Sequence, residues 1–326
     1  MEEKRRYRSL FWPVFLIGVG ITWLLSNMGL IPQVHLGTLL QLWPLLLIVA
    51  GLDMLFGRIS PVVGAVIAVL AVAAVVVILV AAPALGLPAG AEVVTERLVE
   101  PVGQATHARV LLDLGSPRTT VQALVDSENL LDATVQHLGN ARLTSSGVEN
   151  RQVTLGTTPV NLTWFQAGSL VPRRWEVGLT PTIPLDLTID SASGSGDFDL
   201  SQLALSSLLI DSGSGSIMLR LPVTEDSYTA RVDSASGSVD IQVPCSNIEV
   251  RLDSGSGSVD VNTEAGCPLR VEVREGGSGA VNLPRGLPQL RGDRDEGAWE
   301  TTDYPGAAIR LLIIMEDQGS GSFTVR

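Results

Sequence analysis

The sequence predicts a membrane protein in two parts: an N-terminal α-helical region of three spans, then an all-β, solenoid-like domain. Three observations carry this prediction. Residues 1–82 hold three long apolar runs. The remainder is polar, acidic and rich in Gly, Ser and Thr. Within it, a turn of the form Asp-Ser-Gly/Ala-Ser-Gly-Ser recurs about every 21 residues, and self-similarity at that period marks a stacked architecture. Composition agrees. The 326 residues are 45% hydrophobic and 17% charged, and mean hydropathy is +0.31 despite a net charge of −12. General disorder is excluded, because it requires low hydrophobicity. The acid excess lies in residues 83–326, which removes the basic surface that a nucleic-acid partner needs. Two cysteines are too few for a disulfide-dense scaffold or a four-cysteine zinc site.

Residues 1–9 form a charged N-terminus carrying Lys4, Arg5, Arg6 and Arg8. The spans follow within 10–82, as Leu10–Ile31, Leu36–Phe56 and Pro61–Ala82. Each is near the roughly 20 helical residues that cross a hydrocarbon core of about 30 Å. A signal peptide would have a shorter apolar core and would not precede two further runs. Basic residues flank the first span on its N-terminal side, and Arg58 follows the second, which predicts a cytoplasmic N-terminus and places residues 83–326 outside. Asp53, one turn from Arg58, reads as interfacial rather than as part of an ion path. The spans repeat internally: Phe11-Trp12-Pro13 through Gly20 matches Leu42-Trp43-Pro44 through Gly51. Trp12 and Trp43 suit the membrane interface, and Pro13 and Pro44 suit a first helical turn. Gly20 and Gly51 would let another helix approach closely.

Residues 83–90 are a linker, and 91–326 form the β domain. Its turns begin at Asp190, Asp211, Asp233 and Asp253, with weaker copies at Glu275 and Asp317. The last interval is about two periods, so one degenerate unit is expected between them. After the turns, apolar residues alternate, as in Ile217/Leu219, Val239/Ile241, Val259/Val261, Val281/Leu283 and Phe323/Val325. Alternation means half-buried strand, and the Gly-Ser cluster supplies the turn. One such unit cannot bury its own apolar face, so units must stack as rungs about 4.8 Å apart. Residues 91–189 read as earlier, imperfect rungs. Before the last two turns the apolar residue, Val273 or Met315, sits one place early, which predicts a bulge or altered turn.

Here the chain resembles a known family. The doubled Trp-Pro unit is similar to the transmembrane region of LiaI/LiaF-like bacterial proteins. The stretch from Trp175 to Pro222, with Leu200-Ser-Gln-Leu between two Gly-Ser turns, looks like the C-terminal toast-rack domain of LiaF-like cell-wall-active-antibiotic response proteins. The resemblance implies a multi-pass protein of the bacterial cell membrane, linked to envelope-stress signalling, with a sensor histidine kinase or another membrane protein as partner. Such proteins often show four spans, where this chain shows three.

The acids should stack into two ladders, Asp190, Asp211, Asp233 and Asp253 in one, Asp197, Asp240 and Asp260 with Asn282 in the other. Like charges about 4.8 Å apart repel by roughly 0.9 kcal/mol in water. Bonds from turn N–H groups to each Asp, about 0.5–1.5 kcal/mol apiece, should offset that without a ligand. Calcium is disfavoured, since its β-roll motif has a nine-residue period. No catalytic set, cofactor site or metal site is expected. His35, His107 and His137 are isolated, and the Gly-Ser turns lack a Lys and a following helix. Arg291-Gly-Asp293 and Asn161-Leu-Thr163 match short motifs too common to weigh. Cys245 and Cys267 fall at near-equivalent points of adjacent rungs, so a disulfide and two buried thiols are both open. The expected function is non-enzymatic: a membrane-anchored regulator or sensor, with a structural or adhesive surface module as the alternative. The expected partners are the lipid bilayer, a membrane protein and a further copy of the chain, with no nucleic acid.

Overall fold

The computed structural model describes residues 11–28, 43–56, 61–81, 93–137, 140–157, 173–224, 226–293 and 295–326. They divide into a helical unit, which lies before Val93, and a β unit from Val93 onward.

Three helices make up the first unit: α1 (Phe11–Asn27), α2 (Trp43–Phe56) and α3 (Pro61–Ala81). Each has a proline in its first turn, where the missing N–H leaves no partner unsatisfied. Val49, Ala68 and Ala71 are buried together, with Val14, Phe15 and Ile67 packed on them. Gly18 permits the close pass of α1 and α3, because an added Cβ would lie 2.6 Å from a Val72 methyl. Among the described residues no helix is long and apolar enough to cross a membrane. All three expected spans run into residues outside that description, so the helices do not by themselves confirm three crossings.

The β unit begins with β1 (Val94–Pro101), β2 (His107–Gly115), β3 (Arg118–Ala123), β4 (Asn129–His137), β5 (Ala141–Ser146), β6 (Asn150–Thr157) and β7 (Arg174–Leu179). Four regular rungs follow. They are β8 (Leu185–Ser191) with β9 (Gly196–Asp199), β10 (Leu205–Ser212) with β11 (Ile217–Arg220), β12 (Tyr228–Ser234) with β13 (Val239–Val243), and β14 (Ile248–Ser254) with β15 (Val259–Thr263). The chain closes with β16 (Leu269–Glu275), β17 (Val281–Asn282), β18 (Gln289–Gly292), β19 (Gly297–Glu300), β20 (Leu311–Asp317) and β21 (Phe323–Val325). In each rung the first strand joins an 11-stranded sheet and the second a 10-stranded sheet. Inward residues of both sheets form one core, including Val232, Ile241, Val250 and Val261, each at most 1% exposed. Each buried Val, Leu or Ile contributes about 1.5–3 kcal/mol before chain entropy is counted.

Two expectations need correction. The early residues are not simply imperfect rungs. The pairs β2/β3 and β6/β7 are parallel rungs, but β1, β4 and β5 add antiparallel pairings that close that end. Nor does the last rung stack in sequence order. Instead β20 lies between β14 and β16, and β21 lies between β15 and β17. The intervening residues are no degenerate rung: β18 and β19 form an antiparallel hairpin on the outer side of β16. The register shift expected near Met315 is present, since Leu252 faces Met315 while Asp253 faces Asp317, leaving Glu316 as the extra residue.

Candidate functional site

The Gly-Ser turns are themselves stacked. Gly213 N–H donates to the Ser191 carbonyl, Ala235 N–H to Ser212 and Gly255 N–H to Ser234, at 2.9, 2.9 and 3.0 Å. Backbone thus sits directly on backbone. A Cβ on Gly215, Gly237 or Gly257 would run into the carbonyl oxygen of Gly194, Gly215 or Gly237 beneath it, so only glycine fits that column. Below the turns runs a buried polar row of Ser191, Ser212, Ser234, Ser254 and Gln318. Ser254 Oγ donates to the Gly257 carbonyl at 3.0 Å, and Gln318 Nε2 to that of Gly321 at 2.8 Å, which ties strand end to turn end.

The first carboxylate ladder is longer than the sequence suggested. Asp113, Asp190, Asp211, Asp233, Asp253, Asp317 and Glu275 stand in register, in that order, across the 11-stranded sheet. Sequence reasoning missed Asp113, although Asp113-Leu-Gly-Ser116 carries part of the turn pattern. The second ladder is broken: Met218 separates Asp197 from Asp240, and Thr324 stands between Asp260 and Asn282.

The expected bonds from turn N–H groups to these acids are also largely replaced. Rung-to-rung carbonyls take those donors, because a stacked backbone offers them a partner at every turn. Among the described ladder acids only Asp317 accepts a turn bond, from Gly319 N–H at 2.8 Å. Arginine holds one further ladder acid, and the bulge beside the ladder. Arg231 Nε donates to both oxygens of Asp233, at 3.0 and 2.9 Å. The bulged Glu316 is held from both sides, by Arg251 Nη1 at 3.1 Å and Arg274 Nη1 at 2.7 Å. Partial burial and the charges of Asp233 and Asp317 push the Asp253 carboxyl above its ordinary range, with Arg231 pulling the other way.

His107, Asp186 and Ser207 do meet, in an order unsuited to nucleophilic catalysis. Asp186 accepts from Ser207 Oγ at 2.8 Å and lies 3.1 Å from His107 Nε2. The hydroxyl therefore faces the carboxylate and not the imidazole, which is not the Ser–His–Asp order of a nucleophilic triad. Burial alone would raise the Asp186 carboxyl; the bonds from His107 and Ser207 and the nearby Arg109 bring it below its ordinary range. Arg291-Gly-Asp293 sits at the hairpin turn, where Asp293 Oδ1 accepts the N–H groups of Glu296 and Asp295, both at 2.9 Å. Those bonds hold its carboxyl below the usual range and commit it to the turn. Among the described residues no group of three or more His, Cys, Asp or Glu is placed to hold a metal ion.

Cys245 and Cys267 are joined as a disulfide with Cα atoms 5.5 Å apart, linking the loops that leave β13 and β15. On the helices, no described residue lies within 4 Å of a Cβ added at Gly20 or Gly51, while the close approach among the described helices is at Gly18. Trp12 and Pro13 are exposed, and the Trp12 ring meets Phe15 edge to face. Trp43 and Pro44 open α2.

Two family models match the chain. Residues 10–55 match the LiaI-LiaF-like transmembrane region, and residues 90–242 match the N-terminal domain of toast_rack. Both parts of the chain are thus similar to parts of LiaF-like proteins. The resemblance had implied a C-terminal toast-rack domain; the match is to the N-terminal one, which here follows the helices. The chain is also similar in fold to a solved structure described as a candidate cell adhesion protein from Clostridium sporogenes. Identity is 18% and the TM-score 0.50, over 72% of this chain and 99% of that one. A candidate adhesin from Bacteroides fragilis aligns over 72% and 97% of the two chains, at 10% identity and a TM-score of 0.26. No curated protein matches.

Proposed function

We propose that this chain is a non-enzymatic, multi-pass protein of the bacterial cell membrane that regulates or senses envelope stress through another membrane protein, such as a sensor histidine kinase. The observation that carries the reading is the union, on one chain, of a LiaI-LiaF-like transmembrane match with a toast-rack match. In this reading three spans anchor the chain, the N-terminus is cytoplasmic and the β domain lies outside. Gly20 and Gly51, where no described residue lies within 4 Å of an added Cβ, support a contact with a partner helix, because small residues let helix backbones approach. Regulation further requires that the partner bind two states of this protein with different free energies.

The test is deletion of the gene, with envelope-stress transcription measured with and without a cell-wall antibiotic. Complementing strains would carry the full chain, a chain lacking residues 91–326, or Gly20→Leu with Gly51→Leu. Loss of induction in the deletion and in either variant is expected. Unchanged basal and induced transcription in every strain would overturn the reading. The alternative, a structural or adhesive surface module, is favoured by the exposed, repetitive carboxylate face and by the adhesion role ascribed to the Clostridium sporogenes protein. It predicts normal transcription with altered surface attachment.

A further inference from the structure

The inserted C-terminal rung separates two strands that are built to pair with each other. Read across the gap, β14 presents Glu249 and Arg251 on its outer face, and β16 presents Arg270 and Glu272 at the equivalent positions. Were β16 stacked directly on β14, Glu249 would face Arg270 and Arg251 would face Glu272, opposite charges at both positions. Instead β20 places Leu312 and Ile314 between them. The separated charges turn back along their own strands, Arg251 to Glu249 and Arg270 to Glu272. The inward faces are interchangeable as well. Leu269, Val271 and Val273 of β16 occupy the same register as Leu311, Ile313 and Met315 of β20.

We infer that the β domain has two stacking orders: a sequential one in which β16 and β17 pair directly with β14 and β15, and the observed one, reached when residues 311–326 insert between them. Order of emergence favours the first, since β16 is complete before β20 exists and its pairing closes a shorter loop. Burial favours the second. Leu311, Ile313, Ile314, Met315, Phe323 and Val325 are each at most 3% exposed in the inserted rung. Glu316 also gains Arg251 and Arg274 as a clamp from the two flanking strands. The device is therefore a strand insertion that exchanges an ion-paired seam for an apolar one. It goes beyond the functional reading above and stands without it.

Paired cysteines at the ladder position distinguish the two orders. Asp253, Asp317 and Glu275 stand in register on consecutive strands. Asp253→Cys with Glu275→Cys should cross-link only in the sequential stack, where one strand spacing of about 4.8 Å falls within the Cα range of a disulfide, roughly 4.4–6.8 Å. Asp253→Cys with Asp317→Cys should cross-link only after insertion. The full-length chain is pulse-labelled in cells and oxidised at intervals, and the linked peptides are identified by mass spectrometry. The 253–275 link is expected early and then lost, while the 253–317 link rises in the companion variant. Reversing the seam with Glu249→Arg and Arg251→Glu should lower the early link at least threefold, and adding Arg270→Glu and Glu272→Arg should restore it. Absence of the 253–275 link at every time, or a link indifferent to charge reversal, would overturn the inference.

Discussion

At the scale of single residues, the fold acts in opposite directions on two acids, Asp132 and Asp253. Asp132 accepts from Arg97 through two bonds, at 2.9 and 2.6 Å, and this holds its carboxyl below the ordinary range. Its contribution is present above the unfolded carboxyl value, about 3.9, and is lost as pH falls through the folded one. Asp253 is the opposite case. Its folded value is raised, so its contribution is intact below about pH 3.9 and is lost as pH rises through the folded value. Asp253→Asn should therefore raise the thermal midpoint at pH 7, with the gain vanishing below about pH 4 in a pH-resolved melting series. Glu100 is a sharper test, since its side chain is 10% exposed and holds Arg151 across from β1 to β6. Glu100→Gln removes the charge facing that guanidinium, which keeps its bond to the Gly147 carbonyl, and should cost about 1.5–3 kcal/mol in chemical denaturation.

At the scale of elements, the inserted rung makes the most demanding contribution. Ile313 is fully buried between its neighbours, so Ile313→Ala should lose about 2–5 kcal/mol, read as a shift in the denaturation midpoint. The regular rungs were legible in the sequence, because alternating apolar residues and Gly-Ser turns are local signals that recur from Asp190 to Asp253. The bulge at Glu316 was legible too, from Met315 standing one place early. The order of the final rungs was not. The inward triplets of β16 and β20 are equivalent, so local pattern is satisfied by either order and only tertiary burial selects one. The grip of Arg251 and Arg274 on Glu316 depends on that order, and was hidden with it. Asp113 escaped notice because its turn carries only part of the motif, and the meeting of His107 with Asp186 and Ser207 joins strands distant in sequence.

At the scale of the whole molecule, the β unit is a one-dimensional stack whose cohesion is spread over many like interfaces. The disulfide is the one covalent cross-link between rungs, since the chain has two cysteines. Cys245 and Cys267 are 22 residues apart, and closing a loop of that size lowers the entropy of the unfolded chain by an amount worth about 3 kcal/mol. Cys245→Ser with Cys267→Ser should lose roughly that much, and reduction of the native protein should match it in a denaturant titration. The two ends of the stack have a different consequence. A parallel, in-register array of identical turns is the geometry that seeds cross-β fibres when its last strand is left flat and open. In this chain the terminal strands are poor templates. The 11-stranded sheet ends in β5, antiparallel and largely exposed, and in β18, which has Arg291 and a glycine in a left-handed turn conformation. The 10-stranded sheet ends in β1, studded with Glu96, Arg97 and Glu100, and in β17, only two residues long. Among the described strands these four edges therefore oppose edge-to-edge growth from one molecule to the next, despite the repetitive sequence between them.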